Sequence, residues 1–338
     1  MPISDYLRGL RAKVGTDLLL VPAVTMVCRD EDGRVLLARH ADNDRWALPG
    51  GSIDPDETPA DAAVRELWEE AGLRTTPERI IGVYGGPAFT VTYPNGDQIA
   101  SVDTVFACRI DGGTLAADQD EITELRYVSE AEATQLNLPP WAQLVLADVF
   151  RNTNQTHFQP PTWTPPADGV RKGGISDYVR DLRQHIGTDL LLMPSVGALA
   201  YDDLGNILLQ QRSDSGLWSA PVGGMDPGET PADAVVREVW EETGVLVEPT
   251  QVLGVYGGPK FRNTHPNGDQ TASIFMIFAC RVVDARGLSP DGHESLDVRY
   301  FPQEEALAML SRLWQRRMGF LPELNRSAAQ FEAATWRA

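Results

Sequence analysis

Short apolar runs separated by polar turns predict strands in the first third of the chain. Positions 23–28 and 35–38 are mostly apolar and flank an Asp-Gly turn, so each is a predicted strand. Asn95-Gly96 lies between the runs 89–93 and 99–108, and this dipeptide is a strong signal for a tight hairpin turn. We therefore expect an antiparallel pair of strands at that point.

Helical segments alternate with these strands. Ser4 can cap a helix over 6–13, and Ser176 is placed to cap an equivalent helix later in the chain. Further helices are predicted over 141–150 and 304–314. Because strands and helices are intermixed along the sequence, we expect α/β domains in which helices cover mixed sheets.

The chain contains one domain twice. Ile3-Ser4-Asp5-Tyr6 returns as Ile175-Ser176-Asp177-Tyr178, an offset of 172 positions. The offset is 173 by Arg126-Tyr127, which matches Arg299-Tyr300, so one residue has been inserted in the second copy. A period of this length indicates a duplicated domain and not a solenoid of small repeats.

A proline-rich stretch from Pro160 to Pro166 separates the two copies and is typical of a stiff, extended linker. We therefore predict a first domain at 1–155, a linker at 156–171 and a second domain at 172–338. Trp163 within the linker has two interpretations, since it can dock on a domain or stay in solvent.

Composition narrows the classes of function. The 338 residues carry 29 Lys+Arg against 48 Asp+Glu, a net charge of −19 that repels a nucleic-acid backbone. The three cysteines give neither a disulfide framework nor paired zinc ligands, which fits a reducing compartment. The N-terminal segment lacks the apolar core of a signal peptide, and the longest apolar run is too short to span a bilayer. We expect a soluble, cytoplasmic protein that binds neither membranes nor nucleic-acid polymers.

One predicted helix carries three carboxylates on a single face. Thr58, followed by proline, marks the start of this helix, and Gly72 marks its end. Glu66, Glu69 and Glu70 occupy positions i, i+3 and i+4, which lie side by side on a helix surface. The predicted helix therefore gathers negative charge within its last turns.

The second copy repeats this arrangement with Glu238, Glu241 and Glu242. Like charges four residues apart destabilise a helix by roughly 0.2–0.5 kcal/mol, and carboxylates near its C-terminus oppose the helix dipole by roughly 0.3–1 kcal/mol each. A solvated charged face is the commoner reason for such residues. However, hard oxygen ligands gathered against their own repulsion are what Mg²⁺ or Mn²⁺ requires, and their recurrence in both copies favours metal binding.

These glutamates belong to a longer pattern. The segments 51–73 and 223–245 both read Gly, five residues, Glu, seven residues, then Arg-Glu-apolar-any-Glu-Glu-any-Gly-apolar. The pattern resembles the Nudix box, complete in each copy, and the chain is similar to a tandem Nudix hydrolase over both halves. The resemblance implies two α/β/α sandwich domains that use a divalent metal ion to hydrolyse a nucleoside diphosphate linked to a group X. The implied products are a nucleoside monophosphate and phosphate-X, from a nucleotide, a nucleotide sugar or an ADP-ribose-like substrate.

The resemblance also implies roles for particular residues. In the first copy the metal ligands would be Glu69, Glu70 and the carbonyl of Gly50, with Glu66 as general base or further ligand, Arg65 orienting the carboxylates and Glu57 supporting the loop. In the second copy the same roles fall to Glu241, Glu242, the carbonyl of Val222, Glu238, Arg237 and Glu229. Valine tolerates fewer backbone angles than glycine, so the second site is the less secure of the two.

Other candidates lie outside the box. Glu121 and Glu294 align as a loop acid that the family often recruits as an extra ligand or alternative base, although an acidic surface turn explains them equally well. Candidate substrate contacts are Arg39 and Arg212 for a phosphate, and Trp46 and Trp218 for a base. Core packing explains a tryptophan more often than ligand stacking does.

The sequence thus predicts a hydrolase that requires Mg²⁺ or Mn²⁺ and binds a small nucleotide substrate, with one site in each copy. The two halves are expected to pack as an internal pseudo-dimer, and further homo-oligomerisation is open. Two alternatives remain at this point. One is a nucleotide-sensing regulator without turnover, and the other is a single active domain with a structural partner domain.

Overall fold

The computed structural model describes residues 4–318 and 328–337. Its helices are α1 Asp5–Val14, α2 Pro59–Ala71, α3 Glu130–Ala133, α4 Pro140–Arg151, α5 Asp177–Ile186, α6 Pro231–Thr243 and α7 Gln303–Met318. The strands of the first copy are β1 Leu19–Cys28, β2 Val35–His40, β3 Trp46–Ala47, β4 Gly50–Ser52, β5 Leu73–Tyr84, β6 Thr90–Thr92, β7 Gln98–Gly113, β8 Ile122–Val128 and β9 His157–Phe158. The later strands are β10 Leu191–Tyr201, β11 Ile207–Arg212, β12 Trp218–Ser219, β13 Val222–Gly224, β14 Leu246–Tyr256, β15 Arg262–Thr264, β16 Gln270–Asp284, β17 Ser295–Phe301 and β18 Gln330–Phe331.

The first copy is built on a mixed sheet with strand order β4-β1-β7-β5. Strands β1 and β7 run parallel, from Leu19 beside Ile99 to Cys28 beside Cys108, whereas β5 pairs antiparallel with β7. A smaller antiparallel sheet, β3-β2-β8, completes the copy. Because one parallel pair lies among antiparallel ones, the predicted mixed sheet is confirmed.

The second copy repeats this topology. Its main sheet has the order β13-β10-β16-β14, and β12-β11-β17 is the counterpart of the smaller sheet. The pairing of Tyr201 with Ile207 joins the two parts, where the first copy has the equivalent isolated bridge from Arg29 to Val35. The predicted hairpin is also confirmed in both copies, because β6 pairs with β7 and β15 with β16 across an Asn-Gly turn.

Helices pack on the sheets through apolar faces. In the first copy α2 lies against β1, β4 and β5, while α4 lies against β5. The core on the α4 side includes the fully buried Leu37, Tyr84 and Val105. Residues that follow the strand period face these helices, and their burial stabilises by about 25 cal/mol per Å² of apolar surface. The α/β/α sandwich expected for each domain is thereby confirmed.

All three cysteines are buried and free. Burial raises the pKa of the Cys28 thiol to about 12, so this side chain is an unreactive part of the core. Within the described ranges, no helix combines the length and the hydropathy that a bilayer crossing needs.

The described residues form two compact units whose limits differ from the predicted boundaries. The first unit contains the residues up to His157 together with the described C-terminal stretch, and the second begins at Phe158. The segment 158–171, expected to be a linker, therefore belongs to the second unit. The stretch 328–337, expected in the second domain, belongs to the first unit, and the rest of the predicted C-terminal part, 319–327 and 338, lies outside the described residues.

The physical reason for this division is a matched pair of docking contacts. In the second unit, the backbone N–H groups of Thr162 and Trp163 donate to Oδ1 of Asp233, at 2.5 and 2.7 Å. The ring of Trp163 also lies 5.6 Å, between centroids, from that of Trp240 on α6. Trp163 therefore docks on a domain and is not left in solvent.

The first unit repeats the contact with its C-terminal stretch. The N–H groups of Thr335 and Trp336 donate to Oδ1 of Asp61, at 2.6 and 2.7 Å. Asp61 and Asp233 occupy the same position in α2 and α6, and both also bind the threonine that caps their helix. The dipeptide Thr-Trp thus recurs at 162 and 335, an offset of 173. Its backbone N–H groups donate to Oδ1 of Asp233 in the first case and of the equivalent Asp61 in the second.

These contacts predict a selective change in hydrogen exchange. Asp61→Ala is expected to speed exchange of the Thr335 and Trp336 amides by about tenfold to a hundredfold, because a hydrogen bond to a charged group contributes about 1.5–3 kcal/mol. Asp233→Ala should do the same for Thr162 and Trp163 only. Mass spectrometry of exchanged peptides measures both, and Asp61→Asn, which keeps an acceptor oxygen, is the control. Unchanged exchange in both alanine variants would contradict the docking.

Candidate active site

The helix that carries the box carboxylates has well-defined ends. Thr58 caps α2 by accepting the N–H of Asp61 at 3.1 Å, and a proline occupies the first helical position. Gly72 ends the helix in the left-handed region, at φ 65°, where a side chain would be strained. The last turn of α2 contains no basic residue, so Glu69 and Glu70 meet no opposite charge within that turn.

Arg65 organises the carboxylates around it. Its Nε and Nη2 donate to the two carboxyl oxygens of Glu57 at 2.6 and 2.8 Å, which is a bidentate pair. Nη1 donates to Glu66 at 2.8 Å and to Glu69 at 3.1 Å. Nη2 also reaches the carbonyl of Ser52 at 3.0 Å. Arg65 therefore fixes the box loop and two of the three helix carboxylates at once.

Glu70 lies deeper and has fewer partners. It is 2% exposed, and its Oε2 accepts the N–H of Gly50 at 3.1 Å. Its Oε1 is buried with no hydrogen-bond partner among the described residues. An ionised carboxylate in such a place costs several kcal/mol unless a cation compensates it. Glu70 is therefore the residue that most needs a positive partner.

The pKa values of these groups reflect the same excess of buried negative charge. Burial raises the pKa of Glu66 to about 7, against the opposing effect of Arg65 and with the help of Glu69 and Glu121. Burial, and then the neighbouring Glu66, hold the pKa of Glu70 well above its usual range. Burial alone would lower the pKa of Arg65, but Glu57 and Glu66 keep it above its ordinary value. The arginine stays charged while two carboxylates compete for the remaining stabilisation.

The second domain reproduces this network residue by residue. Arg237 donates to Glu229, Glu238 and Glu241, the last two at 2.8 and 3.0 Å. The N–H of Val222 donates to Glu242 at 3.0 Å, as that of Gly50 does to Glu70. The valine therefore supports the same contact as the glycine. One difference is that the Glu241 side chain is 14% exposed, against 55% for Glu69.

Gln210 is a site residue that the sequence reasoning missed. It is fully buried on β11, its Oε1 accepts the hydroxyl of Ser295, and its side chain opposes the rise in the pKa of Glu242 that burial and Glu238 cause. The first domain has Ala38 at the matching position. The sequence marks this position only as a polar residue aligned with an alanine of the other copy, which does not show that the side chain is buried beside Glu242.

Gly51 forms the wall behind Glu66. A Cβ built at Gly51 would overlap the Glu66 carboxyl group, and Gly223 stands in the same relation to Glu238. This close approach explains why the box begins with glycine in both copies.

Gly51→Ala is accordingly expected to displace the Glu66 carboxylate and to lower kcat of the first domain about a hundredfold, since misplacement by about 1 Å has effects of that order. The measurement is turnover in a chain whose second domain carries Glu242→Gln. Gly9→Ala is the matched control, because nothing lies within 4 Å of a Cβ at that exposed helical position. Equal kcat for the two variants would show that Gly51 does not position Glu66.

The structure brings the later loop acids to the box carboxylates. Glu121 acts on the pKa of both Glu66 and Glu70, and burial raises its own pKa. Glu294 stands in the same relation to Glu238 and Glu242. Their loops are shaped by Asp118 and Asp291, each of which accepts three consecutive backbone N–H groups, those of residues 120–122 and 293–295 respectively. The acidic turn therefore explains the aspartates, whereas the glutamates reach the site.

The candidate phosphate contacts differ between the domains. Arg39 pairs with Asp44 at 2.6 Å and with Glu124 at 3.6 Å, and it has no contact with the box carboxylates among the described residues. Arg212 binds Asp214 and is close enough to Glu242 and Glu294 for their charges to raise its pKa. Both domains have a β-bulge at this point, and the arginine lies just before it in the first domain and just after it in the second.

The two candidate tryptophans contact arginines from a strand two places away in the same sheet. Trp46 is 7% exposed, belongs to the core and lies beneath Arg126, whose Cζ is 4.7 Å from the ring centroid. Trp218 packs edge-on against Phe301, with Arg299 5.6 Å from its centroid. Core packing and cation-π contacts therefore explain both residues.

A cavity of about 470 Å³ lies beside the box loop of the second domain. Its lining includes Arg212, Glu294 and Val222. Phe275 and residues of the β15-β16 hairpin also line it. Volumes of 300–1,000 Å³ are usual for small-molecule sites, so the cavity can hold a nucleotide-sized ligand.

Within the part of the chain that the structure describes, no three acidic, histidine or cysteine side chains are already gathered as a metal-binding group. Arg65 binds Glu66 and Glu69, whereas Glu70 accepts the N–H of Gly50. The chemistry of the donors nevertheless fits a hard divalent cation, which prefers carboxylate and carbonyl oxygens. The buried, unpartnered Oε1 of Glu70 is the observation that supports this fit.

Comparison with known proteins identifies the family. The model of the NUDIX domain matches residues 19–149 and 191–324, once in each copy, so the chain belongs to the NUDIX family. The tandem arrangement predicted from the sequence is thus confirmed.

Three individual relatives each match only part of this chain, at 24–35% identity. A MutT-like protein of Streptomyces ambofaciens is 35% identical over 105 residues, which are 31% of this chain and 61% of the relative. A protein of Bacillus subtilis (strain 168) whose name proposes 8-oxo-dGTP diphosphatase activity is 33% identical over 114 residues, 34% of this chain and 70% of the relative. Among solved structures, the MutT protein from Methanosarcina mazei Go1 is 24% identical and has a TM-score of 0.33, over 40% of this chain and 96% of that one. The match to the Streptomyces relative spans less than two thirds of its length.

Proposed function

We propose that each domain is a metal-dependent hydrolase of the diphosphate linkage in a nucleoside diphosphate joined to a group X. The observation that carries the proposal is Glu70, buried at 2% exposure with an unpartnered oxygen beside Glu66, together with the same arrangement at Glu242. Family membership supports the reaction class, and the small-molecule cavity of the second domain supports the size of the substrate.

The ion would be held by Glu69, Glu70 and the carbonyl of Gly50 in the first domain, and by Glu241, Glu242 and the carbonyl of Val222 in the second. When bound, Mg²⁺ or Mn²⁺ would neutralise charge on the diphosphate and make water more acidic. The protein's own contribution is to present these oxygens from one rigid helix and from a loop that Arg65 and Glu57 fasten to it.

Glu66 is proposed to accept the proton of the attacking water. Its Oε1 is engaged by Arg65, so Oε2 is the atom that can take the proton. Arg65 keeps the carboxyl group in a single orientation and remains charged throughout. Glu121 is the alternative base or an additional ligand, and Glu238 and Glu294 have these roles in the second domain.

Turnover assays test the proposal. Nucleoside triphosphates, nucleotide sugars and ADP-ribose are supplied with Mg²⁺ or Mn²⁺, and the products are identified by mass spectrometry in H₂¹⁸O. We expect a nucleoside monophosphate and phosphate-X from at least one substrate, no reaction in a chelator, and a larger loss in Glu66→Gln than in Glu121→Gln if Glu66 is the base. Tight binding without turnover would instead indicate a nucleotide-sensing regulator.

Cellular location, pseudo-dimer packing of the two halves and further oligomerisation remain predictions from the sequence.

A further inference from the structure

The two domains share their carboxylate networks but differ in the wall beside them. Phe275 of β16 lines the second-domain cavity and pairs with Ser195 on one side and Tyr256 on the other. In the first domain the matching register position on β7 is Asp103, which pairs with Ala23 and Tyr84. The offset between Asp103 and Phe275 is 172, so an acid and an aromatic ring occupy the same place in two otherwise similar sites.

Strand β10, which pairs with β16 in the second domain, also differs from its counterpart in the first domain. A Cβ at Gly197 of β10 would lie 2.9 Å from Cζ of Phe275 and 3.1 Å from Cγ1 of Val222. The absence of a side chain at Gly197 is therefore what makes room for the phenyl ring. The first domain has Thr25 at this position and Gly50 in place of Val222, so three substitutions form a matched set.

Asp103 is a buried acceptor in the first domain. Its Oδ1 accepts the hydroxyl of Thr25 at 2.9 Å, and its Oδ2 accepts the hydroxyl of Ser101 at 2.6 Å. A carboxylate has about four acceptor positions, so two remain for other donors. Thr25 lies opposite Gly50 in the β1-β4 pair, which places this acceptor beside the box loop.

Phe275 offers a different surface. It is partly exposed to the cavity and has no hydrogen-bonding atom, so it can contact a ring only by packing or stacking. The β15-β16 hairpin also differs from its counterpart in the first domain, but in the opposite sense, since it is the more polar of the two. Asn263 and Thr271 line the second cavity, where the first domain has Val91 and Ile99.

From this reversal we propose that the two domains act on different nucleotides, selected by Asp103 in the first and Phe275 in the second. Asp103 accepts a hydrogen bond from an N–H group on the base edge, so the first domain takes bases that carry an amino or imino donor. Phe275 packs against the ring whatever its edge, so the second domain does not require that donor. The inference rests on the proposed function, because it names the substrate class at the same sites.

The test uses full-length chains with one domain silenced, Glu242→Gln to isolate the first and Glu70→Gln to isolate the second. The probes are two pairs of triphosphates that differ in one donor group: guanosine against N1-methylguanosine, and adenosine against purine riboside. In the first domain, kcat/KM is expected to fall at least tenfold on loss of the donor in one or both pairs, whereas the second domain should change less than threefold.

Variants of the selecting residues extend the test. Asp103→Ala, which removes the acceptor oxygens, should remove the discrimination of the first domain, and Thr25→Ser, which keeps the hydroxyl, should preserve it. Phe275→Leu should raise KM of the second domain for all four probes alike, and Phe275→Tyr should not. Equal responses of both domains to both pairs would overturn the inference, even if every probe is hydrolysed.

A failure of the proposed function gives a separate result. If none of the probes is turned over, the binding of their α,β-methylene analogues is measured by calorimetry on the same chains. The same tenfold and threefold limits then apply to the dissociation constants, so selectivity is judged independently of catalysis.

Discussion

Replacing Glu70 and Glu242 together by glutamine is expected to lower kcat for diphosphate hydrolysis by about 10³-fold or more. Each glutamine keeps the shape of the side chain and can still accept the N–H of Gly50 or Val222, but it removes the negative charge that would hold the ion. Stabilisation of transition-state charge by a metal ion and fixed polar groups is commonly the largest contribution to the rate of such a reaction. Steady-state kinetics at saturating Mg²⁺ measures the change.

Stability separates this effect from misfolding. A neutral amide is easier to bury than an ionised carboxylate, so the double variant should have a metal-free Tm at pH 8 that equals or exceeds that of the parent. The single variants should each lose the activity of one domain only. Retention of parental kcat by the folded double variant would contradict the assigned chemistry.

The stability of the metal-free protein is expected to fall as pH rises from about 5 to 8. The folded pKa of Glu66, about 7, lies above its ordinary value of 4.5, so the folded state binds more protons than the unfolded state between these values. Stability that depends on the proton is therefore complete below the lower pKa and is lost as pH rises through the upper one. The difference corresponds to about 3 kcal/mol for this group alone.

Mg²⁺ should oppose this loss, because it binds the ionised carboxylates. At a concentration 100 times its Kd, the expected stabilisation is about 2.7 kcal/mol per site. The increase in Tm on adding Mg²⁺ should therefore be larger at pH 8 than at pH 5, as measured by calorimetry. The variant Glu66→Gln with Glu238→Gln is the control and should show a flatter pH profile. A metal-free Tm that rises steadily to pH 8 would be inconsistent with buried, uncompensated glutamates.

Much of the fold could be predicted because the relevant signals are local. Thr58 and Gly72 carry the helix start and stop in their own backbone preferences, and the Asn-Gly turn fixes its hairpin through a few residues. The duplication added a second, independent copy of every such signal. The face shared by Glu66, Glu69 and Glu70 follows directly from helical spacing.

Features that depend on distant contacts could not be read in the same way. The docking of Thr335 on Asp61 joins residues far apart in the chain, so periodicity contains no trace of it. The same holds for Gln210 beside Glu242, since strand propensity alone makes a buried glutamine improbable. The role of Trp46 could not be predicted either, because a tryptophan of the core and one that stacks on a ligand look alike in the sequence. Only the structure shows that Arg126 lies over the Trp46 ring.

The most direct measurement for the central claim is the number of Mn²⁺ ions bound per chain, counted by electron paramagnetic resonance. If the box carboxylates hold the ion in both halves, the parent protein should bind at least two ions with micromolar to millimolar affinity. The count should fall on Glu69→Gln with Glu70→Gln, and fall to none on adding Glu241→Gln with Glu242→Gln. An unchanged count in the fourfold variant, provided that it is folded, would contradict the account.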